Sequence, residues 1–344
     1  MGLKFSSIFL KQERYIDMII LKKPQNGSKV DLLTDIQIKF LESDRTEANA
    51  ENFDYLNLER TGGKDYTFPR PVIFEWESTE EAAVQISESE TFEIYFSFVG
   101  NNVCAVENFK SGTRYFWRVV CHNAISEVFY FDTADRFPRF IKIDGMTNVR
   151  DFGGWKTDDE KIIKQGILYR GSELNSHVNV TTDGLKTMED VLKIKSVLDL
   201  RGKSEVVENV YRHKYINVPV SAYGEWFGHP NSTREIFEFL CDEKNYPIYF
   251  HCWGGADRTG TLAFLLGALL GMSYEDLLDE YEITSLSIWG VRTRNSEKHF
   301  KSFMQEFNAI EGQTIKEKAE NHFLSTGVSK MLIEKFRDIM LCEE

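Results

Sequence analysis

Cys252 and Arg258 stand with five residues between them, among them Gly254 and Gly255; His251 precedes the thiol and Thr259 follows the arginine. Those residue types at that spacing could hold a phosphate over a nucleophile. Ile248 to Phe250 form an apolar lead-in, and a long apolar stretch follows Thr261, so the pattern is strand, tight loop, helix N-terminus. A helix N-terminus and a nearby cation favour the thiolate, which is the nucleophilic form. Gly254 and Gly255 let the backbone curl into a nest of inward N–H groups. The helix beginning near Thr259 adds its dipole to the same anion. Arg258 can take two phosphate oxygens through its planar fork, which a lysine cannot do. Thr259 is placed to hydrogen-bond the sulfur and ease its departure, and His251 to orient the loop from behind. Trp253, Gly254, Gly255, Ala256 and Gly260 would line the bound phosphate. An inert buried thiol is the plainer reading of Cys252, but it leaves the glycines and Arg258 without a role.

The elements that must position this loop come from the second part of the chain. Ile167 to Arg170 and Ser196 to Arg201 read as short strands that end on arginines, and Ile216 to Val220 as a third. Leu185 to Ile194, Arg234 to Leu240, Leu262 to Met272 and Ser329 to Leu341 read as helices, with Ser273 capping another and Phe300, Phe303, Met304 and Phe307 on one face of a further one. Strands alternating with helices predict an α/β domain with a central, mainly parallel sheet flanked by helices. Ligands bind beyond the carboxyl ends of such strands, where Arg170, Arg201 and Cys252 all fall. Arg150, Arg170 and Arg201 are candidate cations around the site; equally, each has a carboxylate nearby in sequence (Asp151, Glu173, Asp199) with which to brace a loop.

From about Tyr15 to Thr133 the pattern is β. Ile36 to Phe40 alternates at period two, residues 42–67 read as a long polar loop, and short runs follow at Val72–Trp76, Ala83–Ile86, Phe92–Phe98, Tyr115–Val120 and Glu127–Phe131. About seven short strands in about 115 residues predict an all-β sandwich over 1–134. Trp76 and Trp117 are expected in its core. Asp135-Arg136-Phe137-Pro138 breaks the pattern, which sets the second domain at 138–344.

A net charge of −13 makes nucleic acid and anionic membrane surfaces poor partners. The five cysteines are odd in number and form no CxxC pair, so neither a zinc site nor a disulfide framework is expected. No run has the length of a membrane span. The first ten residues lack a signal-peptide core, which points to the cytoplasm, or to export if a leader was trimmed.

The string His251-Cys252-x5-Arg258-Thr259 resembles the signature loop of the cysteine-dependent protein tyrosine and dual-specificity phosphatases. His251 to Gly260, Asn148-Val149-Arg150-Asp151-Phe152-Gly153-Gly154 and Leu198-Asp199-Leu200-Arg201 are similar to three marks of the bacterial branch of that superfamily. The resemblance implies hydrolysis of phosphate monoesters through a phosphocysteine on Cys252, with no metal or other cofactor. Substrates would be phosphorylated proteins, phosphotyrosine first with dual specificity possible, or small phosphorylated molecules. A phosphoinositide or inositol polyphosphate phosphatase of the same chemistry is the alternative. The branch usually carries a lysine where this chain has Ala256, which weakens the case for inositol lipids. The leaving oxygen needs a general acid. The stretch from Pro219 to Pro230 contains no aspartate, and in the resembled branch the acid is the aspartate inside the loop, here Asp257. Glu225 is the runner-up and His229 the third candidate; Asp257 could instead be a carboxylate that braces the loop through an arginine. Tyr223, Trp226 and Phe227 are candidates for a lid over an aromatic ring. The segment 1–134 is similar to a fibronectin type III or immunoglobulin-like domain, through Val72 to Trp76 and Ser111 to Val119, and implies a module for protein or carbohydrate. A scaffold or adhesion protein with a weak phosphate-binding relic is the reading from another class; the intact Cys252, Asp257, Arg258 and Thr259 speak against it.

Overall fold

A computed structural model describes residues 19–48, 64–122, 124–206 and 210–343. The chain divides into two units. Of the described residues, one unit holds those up to Val30, Val72–Val106 and Thr113–Thr133; the other holds those within Asp31–Pro71, Glu107–Gly112 and from Ala134 onward.

Among the described residues the first unit is all β. Its strands are β1 (Ile20–Lys23), β2 (Ser28–Val30), β3 (Val72–Glu77), β4 (Ala82–Ser87), β5 (Phe96–Gly100), β6 (Val103–Val106), β7 (Arg114–Val120) and β8 (Phe129–Thr133). They form two sheets, ordered β1-β3-β6 and β2-β8-β7-β4-β5. The period-two alternation works as read: β3 buries Val72, Phe74 and Trp76, and β7 buries Tyr115, Trp117 and Val119. Phe74 meets Trp117 edge-on at 5.2 Å and Phe131 at 5.8 Å, which joins the two sheets in one core. Trp76 and Trp117 are both core residues. The run from Phe92 becomes a strand only at Phe96, because Phe92 takes φ +53° and buries its ring under the Arg118 guanidinium at 4.2 Å.

Ile36 to Phe40 is not a strand. It lies in α1 (Asp35–Glu42), which belongs to the second unit. Thr34 accepts from Gln37 N–H and Gln37 reaches back to Thr34 N–H, a capping box that outweighs the short alternation. Leu33, Gln37 and Phe40 then fall on one buried face, and Leu33 and Phe40 pack with Phe140, Ile283 and Leu286. The chain therefore crosses between the units more often than the single boundary expected near Asp135: Asp31–Pro71 leaves the all-β unit after β2 and rejoins it at β3, and Glu107–Gly112 leaves it again between β6 and β7. Of the loop expected at 42–67, residues 49–63 lie outside the described residues, as does the β pattern before residue 19.

In the second unit the strands are β9 (Arg150–Asp151), β10 (Ile162–Ile163), β11 (Leu168–Gly171), β12 (Ser196–Asp199), β13 (Lys214–Asn217), β14 (Ile248–His251) and β15 (Leu341–Cys342). The main sheet runs β13-β12-β14-β11-β9; the first four are mutually parallel and β9 is an antiparallel edge. β10 pairs with β15 separately. β14, central and buried throughout, is the kind of continuous apolar run that a strand covered on both faces requires. The register sets Gly171 and Asp199 level with His251, so three strands deliver their following loops to one place.

The helices after α1 are α2 (Thr182–Lys186), α3 (Pro230–Leu240), α4 (Arg258–Leu270), α5 (Tyr274–Glu282), α6 (Ser302–Ala309), α7 (Ile315–Ser325) and α8 (Lys330–Met340). α4 is buried from Thr259 to Leu270, inside a cluster that joins Phe237, Phe250, Phe264, Phe303, Phe323 and Phe336. Ser273 caps α5 as expected, whereas α7, started by a Thr314–Glu317 capping box, was not anticipated. Among the described residues no helix is long and apolar enough to cross a membrane.

His322 on α7 is buried, its Nε2 meets no hydrogen-bond partner among the described residues, and its ring lies 4.8 Å from that of Phe227. Burial pulls its pKa from 6.5 down to about 4. A depressed imidazole favours the fold fully above the unfolded value near 6.5, and the contribution is lost as pH falls through 4. Stability measured by urea titration should drop by roughly 3 kcal/mol between pH 7 and pH 4 from this group. In His322→Gln that part of the acid slope should vanish.

Candidate active site

After β14 the chain turns through residues 252–257 into α4, and every carbonyl on the way is tied. His251 Nδ1–H donates to the Cys252 carbonyl at 2.9 Å, the Glu173 N–H to Trp253 O at 2.7 Å and Asn148 Nδ2 to Gly254 O at 2.9 Å. Arg170 donates to Gly255 O, and Ala256 O and Asp257 O accept from the first turn of α4. In a trans peptide the N–H points opposite to the C=O. Pinning the first four carbonyls outward therefore turns the N–H groups of Trp253, Gly254, Gly255 and Ala256 to the other side, where none donates to a protein group among the described residues. Both glycines are required. Gly255 sits at φ +64°, and a Cβ there would lie 2.3 Å from Gly171 O; at Gly254 a Cβ would lie 2.6 Å from the Trp289 ring.

The loop rests on buried charge. Arg150 and Arg170 are fully buried and share Glu280 of α5, at 2.8 and 2.6 Å to its two oxygens. Arg150 also donates to Asn148 Oδ1 at 2.6 Å and Thr284 Oγ1 at 3.1 Å. Two guanidiniums on one carboxylate leave a positive excess. Burial, and then Arg150, hold the Arg170 guanidinium down to about 10, with Glu280 and Cys252 pulling the other way. Arg201 forms a second knot, with Asp199 at 2.7 Å and Glu173 at 2.6 Å. His251 is buried behind the loop, and burial keeps its pKa below the ordinary value.

At the mouth, Cys252 is 3% exposed. Arg258 donates to Glu205 Oε2 at 2.5 Å and lies 5.5 Å from the Trp253 ring; although burial works against it, contact with Cys252 and then Glu205 raises its pKa. Thr259 Oγ1 is buried without a hydrogen-bond partner among the described residues. Asp257 accepts a two-pronged bond from Arg292, at 2.7 and 3.0 Å, and another from the Tyr223 hydroxyl. Burial pushes the Asp257 carboxyl up, but Arg292 and Tyr223 outweigh it and hold it below the usual range. Tyr223, at φ +56°, also touches the Tyr281 hydroxyl at 3.1 Å and stacks on His299 at 5.0 Å. Trp253 is 39% exposed, and the His177 ring lies 4.9 Å from it and 6.2 Å from Trp289. Among the described residues no three His, Cys, Asp or Glu side chains gather to hold a metal.

A sequence model described as the tyrosine phosphatase family matches residues 141–339. The chain belongs to the tyrosine phosphatase family. A tyrosine-protein phosphatase of Nostoc commune is 32% identical over 65 residues, which cover 19% of this chain and 22% of that one. A protein of Cupriavidus necator is 26% identical over 174 residues, covering 41% of this chain and 61% of its own. The chain thus spans less than two thirds of the length of the curated relatives it matches. Among solved structures, the core catalytic domain of the PP-IP phosphatase SIW14 from S. cerevisiae is 22% identical, with a TM-score of 0.33 over 47% of this chain and 93% of that one.

The family match includes every loop just described. Of the residues singled out in sequence, Cys252, Trp253, Gly254, Gly255, Ala256 and Asp257 form the turn, Arg258, Thr259 and Gly260 begin α4, and Arg150 and Arg170 support the turn from below. Arg201 does pair with Asp199, but Glu173 joins Arg201 rather than Arg170, and Asp151 pairs with Arg139 at 2.6 Å rather than with Arg150. The charges nearest in sequence lost to charges that the fold brings closer. The expected lid does not form. Trp226 is fully buried, Phe227 stacks on Phe303 at 5.7 Å, and Tyr223 alone reaches the site. Glu225 is exposed on the same 3-10 turn, and His229 bonds Ser221 at 3.1 Å. Glu205, Glu280, Trp289 and Arg292 were missed, since none carries a local pattern. Glu280→Gln should leave two buried guanidiniums short of a charge, lowering stability by about 3–5 kcal/mol in denaturant titration.

Proposed function

We propose that this protein hydrolyses phosphate monoesters through a phosphocysteine on Cys252, with phosphotyrosine in proteins as the favoured substrate. The observation that carries the reading is the row of pinned carbonyls after Cys252, which turns the N–H groups of Trp253, Gly254, Gly255 and Ala256 to the opposite side of the loop, where none meets a protein acceptor among the described residues. Such preorganised donors hold the equatorial oxygens of a phosphoryl group without moving during the reaction. Arg258 supplies the remaining contact, with Glu205 displaced or shared. The Cys252 thiolate attacks phosphorus, a P–S bond forms and the P–O bond to the leaving group breaks. Asp257 delivers a proton to the departing oxygen. Water then attacks the phosphocysteine, its proton returns to Asp257, and the P–S bond breaks to release inorganic phosphate; Thr259 hydrogen-bonds the departing sulfur. Trp253, His177 and Trp289 form an aromatic cluster against the loop that follows Cys252, which supports a flat aryl leaving group. Ala256, buried where relatives of the resembled branch carry lysine, offers nothing to extra phosphates.

The all-β unit, with its core of Trp76, Phe74 and Trp117, supports the fibronectin type III or immunoglobulin-like reading and a role in binding protein or carbohydrate. The three sequence marks remain the ground for placing the hydrolase unit in the bacterial dual-specificity branch.

Cys252→Ser should abolish turnover of 4-nitrophenyl phosphate; equal rates in both proteins would end the hydrolase reading. A panel of phosphotyrosine peptides, phosphoinositides and inositol hexakisphosphate tests the substrate, with the peptides expected to give the highest kcat/KM.

The pairing of Asp257 makes its protonated form scarce at neutral pH, so rates on poor leaving groups should fall as pH rises. In Arg292→Met burial still acts and the opposing cation is gone, so the Asp257 pKa rises. The alkaline limb for phenyl phosphate should then move to higher pH, while 4-nitrophenyl phosphate, whose leaving group needs little protonation, changes less. An unmoved limb would remove Asp257 from the acid role.

A further inference from the structure

We infer that Thr67, from the excursion between the strands of the all-β unit, is a positioning residue for the phosphate cradle. The inference rests on the hydrolase reading of the loop at Cys252. Thr67 is fully buried, and its Oγ1 accepts the Asn148 N–H at 2.9 Å while donating to Asp65 Oδ1 at 2.6 Å. Asn148 is itself fully buried and sits at φ +57°, a conformation that needs support from its surroundings. Each of its polar side-chain atoms is committed: Nδ2 to Gly254 O at 2.9 Å and Oδ1 to Arg150 at 2.6 Å. The chain of hydrogen bonds therefore runs from Thr67 through Asn148 to Gly254. A shift of the Asn148 backbone passes directly to the peptide plane that aims the Gly255 N–H at the phosphate.

The excursion is built to hold Thr67 still. The buried Gln37 side chain donates to Tyr66 O at 2.7 Å and Phe68 O at 2.8 Å, clamping the backbone on both sides of Thr67. Tyr66 N–H donates to Leu286 O at 3.0 Å and Arg70 N–H to Leu32 O at 2.8 Å. Further along, the buried Arg45 pairs with Asp279 and, at 3.2 Å, with Glu282. Asp279 and Glu282 lie on α5, the helix that also supplies Glu280 to the arginines under the loop. A segment spent only on joining two β strands has no need of a buried amide clamp and a buried ion pair directed at the site.

The test measures tungstate affinity by calorimetry, and kcat and KM on 4-nitrophenyl phosphate, for wild type, Thr67→Val, Thr67→Ala and Thr67→Ser. Thr67→Val keeps the shape and removes the acceptor; tungstate affinity and kcat/KM should each fall about tenfold, the worth of one buried hydrogen bond. Thr67→Ala should shift both in the same direction and covers the case in which valine is not accommodated. Thr67→Ser restores the hydroxyl and should return both within about twofold. If Thr67→Val melts lower yet binds tungstate and turns over as wild type does, the residue is structural only and the inference is overturned. Failure of the hydrolase reading would look different: wild type would bind tungstate without turnover, and Thr67→Val would still weaken that binding.

Discussion

Six consecutive carbonyls, Cys252 to Asp257, are each tied to a donor, which turns the amides behind them to the opposite side of the loop. A peptide plane cannot turn one group without the other. The demand on the fold is thus for fixed donors on the outer side of the loop, and each comes from a different place: the ring that precedes the thiol, the start of the chain after β11, the loop before β9, the end of β11 and the first turn of α4. The parallel sheet answers that demand because its register brings the ends of β11, β12 and β14 level. Helix α4 then closes the turn with its own first hydrogen bonds.

One of the donors, Arg170, is a buried cation lying beside a second, Arg150, and the two impose the second layer of structure. Arg150 and Arg170 lie where a guanidinium is expensive unless paired. Glu280 serves both, so α5 must pack directly under the loop. The pair of cations on one carboxylate leaves positive charge beneath the thiol, suited to a site that accepts an anion. Arg292 and Tyr223 impose a comparable arrangement on Asp257 from the far side, and the residues that support them, Tyr281 and His299, come from α5 and the turn before α6.

The excursion at Asp31–Pro71 changes what the two units mean. By sequence order it belongs among strands; by packing it belongs with the phosphatase family unit. The short alternation of Ile36 to Phe40 concealed this, since five residues of period two fit a strand as well as a buried helical face. The capping box at Thr34 was the signal that decides between them, and it is local enough to be read. The involvement of Thr67 with Asn148 was not legible, because a single threonine in a polar stretch has no distinguishing pattern.

The sequence alone determined the turn after β14: thiol, glycines, arginine and hydroxyl are contiguous, and their geometry follows from a strand, a turn and a helix start that local patterns specify. It also determined that arginines end the neighbouring strands and that the first strands alternate around Trp76 and Trp117. Only the tertiary structure decided which charges meet. Asp151 turned to Arg139, Glu173 to Arg201, and Glu280, Glu205 and Arg292 arrived from distant segments to engage Arg150, Arg170, Arg258 and Asp257. Side-chain pairing is set by distance and desolvation in the packed state, and neither quantity follows from separation along the chain.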